Sequence, residues 1–266
     1  MQPDIDILGL SLKTFGLLFA LGFLAAGAVL ARRLRELGKS PDWAYEIVFA
    51  ALIGGLVGSR LYYLVQNYDK VKDDLLGGIF GGAGLVWYGG AIGGAIAVLI
   101  WAWRRGMLNA SLLDLCSPPL ALGYAIGRVG CQISGDGDYG KPWDGPWAMA
   151  YPEGTVPTTV EVHPTPIYET LAMGLWAYVL WSLRDRLRPG ALFALYLLGA
   201  GVERFLVEFL RRNEDTFAGL TTAQLESLGM AVAGTALLLW LSRKPGGLRP
   251  PARPAAAGPA AAARAT

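Results

Sequence analysis

Seven stretches of mostly apolar residues divide this chain, and they constrain its fold more than any other feature. They run approximately over residues 12–31, 43–65, 83–103, 112–127, 166–183, 190–209 and 222–241. A bilayer has a hydrocarbon core of ~30 Å, which about 20 residues of α-helix can cross. No water is present there to satisfy an open backbone, so such a segment must close its own hydrogen bonds as a helix. Of the 266 residues, 53% are hydrophobic and only 17% are charged. The chain therefore reads as an all-α integral membrane protein with about seven transmembrane helices, not as a large soluble core. The first apolar block is too long to be a removed signal peptide, and it lacks a cleavage site.

The charges give an orientation. Arg32, Arg33, Arg35 and Lys39 follow the first segment, Arg104 and Arg105 the third, and Arg184, Arg186 and Arg188 the fifth. Arg243, Lys244, Arg249, Arg253 and Arg264 follow the seventh. All of these fall on one side, expected to be the cytoplasm. The other side holds Lys70, Lys72, Lys141, Arg211 and Arg212 with acids interleaved. The amino terminus is thus expected outside and the carboxyl terminus inside. Residues 1–244 read as one membrane domain carrying an outer loop at about 138–164. Residues 245–266, rich in Pro and Ala, cannot bury a core and read as a disordered tail.

Gly127 to Gly140 is the stretch where chemistry concentrates. It sets Arg128 at the outer end of an apolar segment, with Asp136 and Asp138 a few residues on and small residues between. Arginine is always charged and matches a phosphate with paired donors. Arg204 also falls near an outer segment end, four residues before Glu208 on the same helix face. Arg60 is a third arginine within an apolar segment, where a charge costs about 2.5–3.5 kcal/mol on insertion scales. It serves either an internal ion pair or a ligand. His163, the one histidine, precedes the fifth segment and reads foremost as a loop anchor. Glu169 is expected to serve the dipole of the helix it begins. Tyr88 sits beside Gly89 and Gly90, where it could reach a pocket or simply join an interfacial belt. Glycine pairs four apart (Gly54 and Gly58, Gly89 and Gly93, Gly90 and Gly94, Gly123 and Gly127) read as close helix contacts. Cys116 and Cys131 give no disulfide framework and read as packing residues.

Together these residues resemble the bacterial prolipoprotein diacylglyceryl transferase family over residues 12–241. The central stretch is similar to the family's Gly-Arg-x-Gly-Asn-Phe-x-Asn-Gly-Glu signature. His163-Pro164-Thr165-Pro166-Ile167-Tyr168-Glu169 resembles its His-Pro-Ser-Gln-Leu-Tyr-Glu, and the run from Arg204 to Arg211 its Arg-Phe-x-x-Glu-Phe-x-Arg. Gly58-Ser59-Arg60, Gly89-Gly90 and Gln224 fit as well. The resemblance implies transfer of the diacylglyceryl group of phosphatidylglycerol onto the lipobox cysteine thiol of a prolipoprotein, at the outer face of the bacterial inner membrane. It implies Arg128 and Arg204 as essential arginines and Asp136 or Asp138 as the signature acid. Gly140 becomes the closing glycine, and Glu208 the acid paired with Arg204. Candidate catalytic residues are thus Arg128, Arg204, Asp136, Asp138 and Tyr88. Candidate substrate-binding residues are Arg60, Gly89, Gly90, Gly140, His163 and Glu208. The reaction requires no cofactor and no metal, and its partners are the lipid, the signal peptide and the bilayer, not nucleic acid.

The chain departs from the family pattern at chemically active positions. Tyr88 replaces the family histidine, Cys131 the signature asparagine, and Phe15 and Ala200 two family tyrosines. The acid is aspartate, and the signature is one residue longer. A thiol with pKa near 8.5 must lose its proton to attack carbon. Arginine is a poor base, so an aspartate of the central stretch is the expected acceptor. A non-catalytic homologue binding phospholipid or signal sequences, and a transferase with another lipid or acceptor, remain as alternatives. A transporter fits less well, because the intramembrane charges cluster at outer ends rather than along the bundle.

Overall fold

The computed structural model describes residues 1–7, 10–71 and 86–250. Lys72, the start of the third apolar segment and the tail from 251 lie outside the described residues, as does the Tyr88 side chain. A hairpin of β1 (Asp4–Ile7) and β2 (Leu10–Lys13) leads into α1 (Thr14–Glu36). Then come α2 (Asp42–Gln66), the short α3 (Tyr68–Val71), α4 (Trp87–Arg104) and α5 (Ala110–Ser134). A second antiparallel hairpin, β3 (Met149–Tyr151) and β4 (Thr158–Val162), interrupts the helices. The chain ends in α6 (Thr165–Leu183), α7 (Ala191–Glu208) and α8 (Thr222–Ser242).

The protein is helical, as the apolar segments require, and α1, α2 and α8 are long and apolar enough to cross a membrane. Leu24, Phe49, Val65, Leu171 and Tyr178 are each more than 60% exposed. Apolar side chains displayed on this scale suit contact with lipid tails. Four short strands add to the expected all-helical pattern. Leu12, expected to begin the first membrane segment, belongs to β2, and the helix starts two residues later at Thr14. Thr14 is held there by its hydroxyl donating to the Gln2 carbonyl at 2.5 Å.

Contacts between helix ends put the two poles of the bundle on opposite sides. At one pole, Arg33 at the end of α1 reaches Asp185 just past α6 at 2.7 Å. Arg105 past α4 pairs with Glu46 at the start of α2 at 2.6 Å. Asp114 near the start of α5 accepts from Gly190 N (2.7 Å) and Phe193 N (2.9 Å), satisfying free amides at the start of α7. Arg188 donates to the carbonyls of Leu241 and Gly247 at 3.2 and 2.7 Å, binding the end of α8 and the turn after it. A cluster of Leu30, Leu34, Ile47, Ala102, Leu112 and Leu115 closes this pole.

Helix α5 is the central element, packed against α1, α6 and α7. It runs past the expected end at Gly127 to Ser134, so Arg128 and Cys131 are helical rather than in a loop. Gly130 is tolerated inside it because α1 packs closely there: an added Cβ would sit 3.2 Å from Leu18 Cβ. Gly135, with φ of 57°, ends the helix in the left-handed conformation that suits glycine. The α2–α4 contact rests on Gly54, Gly58, Gly89 and Gly93, whose backbones touch. A Cβ at Gly54 would fall 2.5 Å from both Ala97 Cβ and Gly93 O. Gly90 and Gly94 face α2 more loosely, and Gly127 has nothing within 4 Å of an added Cβ. Overpacking typically costs about 1–3 kcal/mol, more where backbone is struck. Gly58→Leu should therefore lower the unfolding midpoint in detergent markedly, and Gly127→Ala should leave it nearly unchanged.

Candidate functional site

At the pole opposite the basic ends, four pieces of chain converge. Arg128 stands on the last turns of α5, Glu169 on the first turns of α6, and Arg204 and Glu208 at the end of α7. Asp138 comes from the connection after α5. Thr165, fully buried, locks that connection to α6: its hydroxyl donates to the Asp138 carbonyl at 2.6 Å. Gly140 lies where the connection crosses His163 and the end of α7. Its N–H donates to His163 O (2.8 Å), and the next N–H, of Lys141, donates to Leu210 O (2.7 Å). A Cβ at Gly140 would stand 2.5 Å from Leu210 O and 2.9 Å from His163 Cβ, so glycine is required for this crossing. Beneath the loop, Tyr139 and Tyr151 stack at 4.7 Å over Val162.

Three guanidinium groups and three carboxylates interlock there. Asp138 bridges two arginines, Arg128 through one oxygen and Arg211 through the other. Glu169 Oε1 meets Arg128 Nη2 at 3.2 Å and Arg204 Nη1 at 3.1 Å, and accepts from the Tyr124 hydroxyl at 2.8 Å. Its Oε2 faces Arg211 Nη1 at 3.7 Å. Glu208 Oε2 meets Arg204 Nη2 at 2.9 Å and Arg211 Nε at 3.6 Å. Its Oε1 accepts from Thr221 Oγ1 at 2.9 Å and Asn213 Nδ2 at 2.5 Å. Thr221 also starts α8 through a reciprocal capping box with Gln224. Glu169 and Glu208 are fully buried, whereas the Arg128 and Arg204 side chains keep 15% and 22% exposure. The cations therefore reach the surface and the anions behind them do not.

The two aspartates of the central stretch separate here. Burial alone would raise the Asp138 carboxyl, but the charges of Arg128 and Arg211 outweigh it and hold it below the usual carboxylate range. Asp136 is raised by burial and by the charge of Asp138. Its Oδ1 accepts from Asp138 N at 3.3 Å, and it engages no arginine among the described ion pairs. Cys131 Sγ lies 3.8 Å from Arg128 Nη1. Donor atoms of Cys131, Asp136 and Asp138 fall within 4.8 Å of one another, but both Asp138 oxygens already serve guanidinium groups. This trio is a hydrogen-bonding cluster rather than a cation cage.

Other candidates lie apart from this knot. His163 stacks on Trp143 at 4.4 Å and its Nδ1 is 3.3 Å from the Tyr168 hydroxyl; burial lowers its pKa. Arg60 lies over the Tyr63 ring at 5.1 Å on α2, and the ion pairs just described do not include it. Gly89 and Gly90 face α2, at Gly58 and at Gly55 and Ser59 respectively. Two members of the knot, Arg211 and Glu169, lie in the family-like runs but stand outside the candidate site residues read from the sequence. Arg204, Glu208 and Arg211 repeat at helical spacing, which is the signal for Arg211, whereas the helix dipole gives Glu169 a sufficient local reading.

Chemically, the site is an anion receptor with its counterions built in. Each guanidinium has five N–H donors, and the carboxylates occupy only some of them. A phosphate arriving from the exposed side can take the remaining donors while the buried acids hold the cations in place. Removing one partner of a buried pair typically costs about 3–5 kcal/mol. Glu169→Gln should destabilise the protein by roughly that amount in detergent unfolding, since Arg128 and Arg204 share its Oε1.

Residues 4–240 match the family model described as prolipoprotein diacylglyceryl transferase. A phosphatidylglycerol–prolipoprotein diacylglyceryl transferase of Clostridium tetani is 33% identical over 240 residues, covering 88% of this chain and 95% of that protein. Proteins of the same name from Chromohalobacter salexigens and Methylococcus capsulatus are 35% and 34% identical. Those alignments cover 91% and 89% of this chain, and 95% of each relative.

Proposed function

We propose a lipid-transfer reaction for this chain, which belongs to the prolipoprotein diacylglyceryl transferase family. It transfers the diacylglyceryl group of phosphatidylglycerol to the lipobox cysteine thiol of a prolipoprotein, the first step of lipoprotein maturation. The observation that carries its mechanism is the convergence of Arg128, Arg204 and Arg211 on one partly exposed pole. The seven long helices serve as membrane spans, with the amino terminus outside and the basic pole in the cytoplasm. That orientation puts the arginine knot at the outer face of the inner membrane, where exported prolipoproteins and lipid headgroups meet. Residues 1–244 form the transferase domain.

In this reading Arg128 and Arg204 clamp the phosphate of phosphatidylglycerol, and Arg211 completes the positive surface through Asp138. The thiolate attacks the glyceryl carbon next to the phosphate. The carbon–oxygen bond breaks and glycerol phosphate leaves, its growing negative charge held by preorganised cations. Asp138 is a bridge rather than a base, since both its oxygens hold guanidinium groups. Asp136, free of arginine and raised by burial, takes the thiol proton. Gly140 and His163 shape the crossing beneath the outer loop, Glu208 holds Arg204, and Gly89 and Gly90 bring α4 against α2. Arg60, on α2 and apart from the knot, is read as a lipid-binding residue.

Mass spectrometry of a lipobox peptide incubated with phosphatidylglycerol tests the reaction: a diacylglyceryl thioether is expected. Arg128→Ala should reduce transfer at least ~10²–10³-fold, the scale for losing one transition-state donor. Wild-type rates in that variant would remove the phosphate clamp from the mechanism. Tyr88→Phe should weaken transfer without abolishing it. Asp136→Asn should lower kcat and remove the fall in rate on the acidic side of the pH profile. A base works only when deprotonated, so the wild-type rate declines as pH drops through the raised value of Asp136.

A further inference from the structure

Five carboxyl groups stand at the arginine pole, and two of them, Asp136 and Glu203, hold no guanidinium group among the described ion pairs. Asp138, Glu169 and Glu208 each hold two or more guanidinium groups. Glu203, the residue before Arg204 on α7, makes no hydrogen bond or ion pair among the described residues, and its Oε1 is buried without a partner. It lies within electrostatic reach of Tyr124 and Arg128 on α5, Glu169 on α6, Arg204 on its own helix and Arg211 beyond it. From α8, the groups nearest at Gly201 are Ser227 and Ala231, which do not titrate.

Trp176 on α6 supplies a second, independent observation. Its indole packs directly on Gly199, where any Cβ would overlap the ring. Gly199 and Glu203 are four residues apart and share a helix face. Trp176 Nε1 is also buried without a partner. Glu203 Oε1 and Trp176 Nε1 are thus a buried acceptor and a buried donor near the same turn of α7 that no described group satisfies.

We propose that Glu203 is the general acid of the transfer, giving its proton to the departing phosphate held by the neighbouring arginines. The inference rests on the reaction described above. As the sulfur–carbon bond forms, the carbon–oxygen electron pair passes to the phosphate oxygen, so glycerol phosphate would leave with two negative charges. The Glu203 proton goes to that oxygen, and the thiol proton goes to Asp136. Proton exchange with solvent then restores both groups, and nothing is oxidised or reduced. Asp138, Glu169 and Glu208 can accept a proton only by surrendering an ion pair. Glu203 holds and releases one without disturbing the three-to-three balance of the knot. An arriving phosphodiester adds a negative charge, which favours the protonated carboxyl further.

The test is transfer to a lipobox peptide by the full-length protein, followed by mass spectrometry across pH. Glu203→Gln should lower kcat about 10²-fold, in the range of general acid catalysis, with KM for phosphatidylglycerol changed no more than about threefold. It should also abolish the alkaline fall in rate that the wild type shows as its acid loses its proton. Glu203→Asp should keep that fall with an intermediate kcat. An E203Q enzyme at wild-type kcat overturns the proposal, as does a slow one whose alkaline fall is intact. Should E203Q not accumulate, E203D at full wild-type kcat overturns it equally. Failure of the wild type to form any thioether would count against the transfer reaction itself, whereas transfer at full rate by E203Q counts against Glu203 alone.

Discussion

The structure depends on a carboxylate, that of Glu169, buried at one end of a helical bundle and shared between arginines. Three guanidinium groups brought this close would drive their helices apart. Glu169 holds Arg128 of α5 to Arg204 of α7 through one oxygen, while Asp138 and Glu208 tie Arg211 to the same knot. Buried pairs of this kind are weak arguments for stability, because desolvation offsets much of their attraction. Their value here is positional. Anions at the back and cations toward the surface make a receptor whose charge is fixed before any ligand arrives, which is the condition for electrostatic stabilisation of a leaving group.

The loop chemistry around the knot follows from the same need. Arg128 sits where α5 ends, and the chain must turn at once to bring Asp138 back onto it. Gly135 supplies the turn, Gly140 allows the crossing beneath His163, and Thr165 fastens the start of α6 to Asp138. The β3–β4 hairpin and the stacked tyrosines brace the loop. His163, the chain's one histidine, belongs to this bracing, stacked on Trp143.

Much of the fold was legible in the sequence because membrane helices announce themselves by length and hydropathy. The termini of elements were less so. The extension of α5 to Ser134 was hidden by glycines at 127 and 130, which read as loop residues although tight packing on α1 accommodates Gly130. The first hairpin does alternate, Asp4-Ile5-Asp6-Ile7 and Leu10-Ser11-Leu12-Lys13, but its second strand runs straight into the apolar block of α1 and is masked by it. In the site, Arg128, Arg204 and Glu208 could be read from charge at apolar ends, since such charges are rare and must be accommodated. Arg211 was harder, because it lies just past its helix and looks like an ordinary flanking cation. Glu169 was harder still: an acid on a first helical turn has a sufficient local explanation, and only the fold brings α6 against both α5 and α7.

The departures at Tyr88, Cys131, Phe15 and Ala200 alter hydrogen-bonding groups, yet the ion-pair knot is intact. This separation is physically sensible. The knot is a mutually dependent set, in which losing one member leaves a buried charge unmatched. Proton carriers are under no such joint constraint: any carboxyl within reach of the reacting atoms, with a suitable environment, can serve. A chain that differs from the family pattern at these positions while carrying Asp136 and Glu203 beside the knot keeps the part that cannot be moved. What it has redistributed is the part that can. The charge balance limits that redistribution, since a further carboxylate paired with the arginines would compete with the lipid phosphate for them, and neither Asp136 nor Glu203 holds one among the described ion pairs.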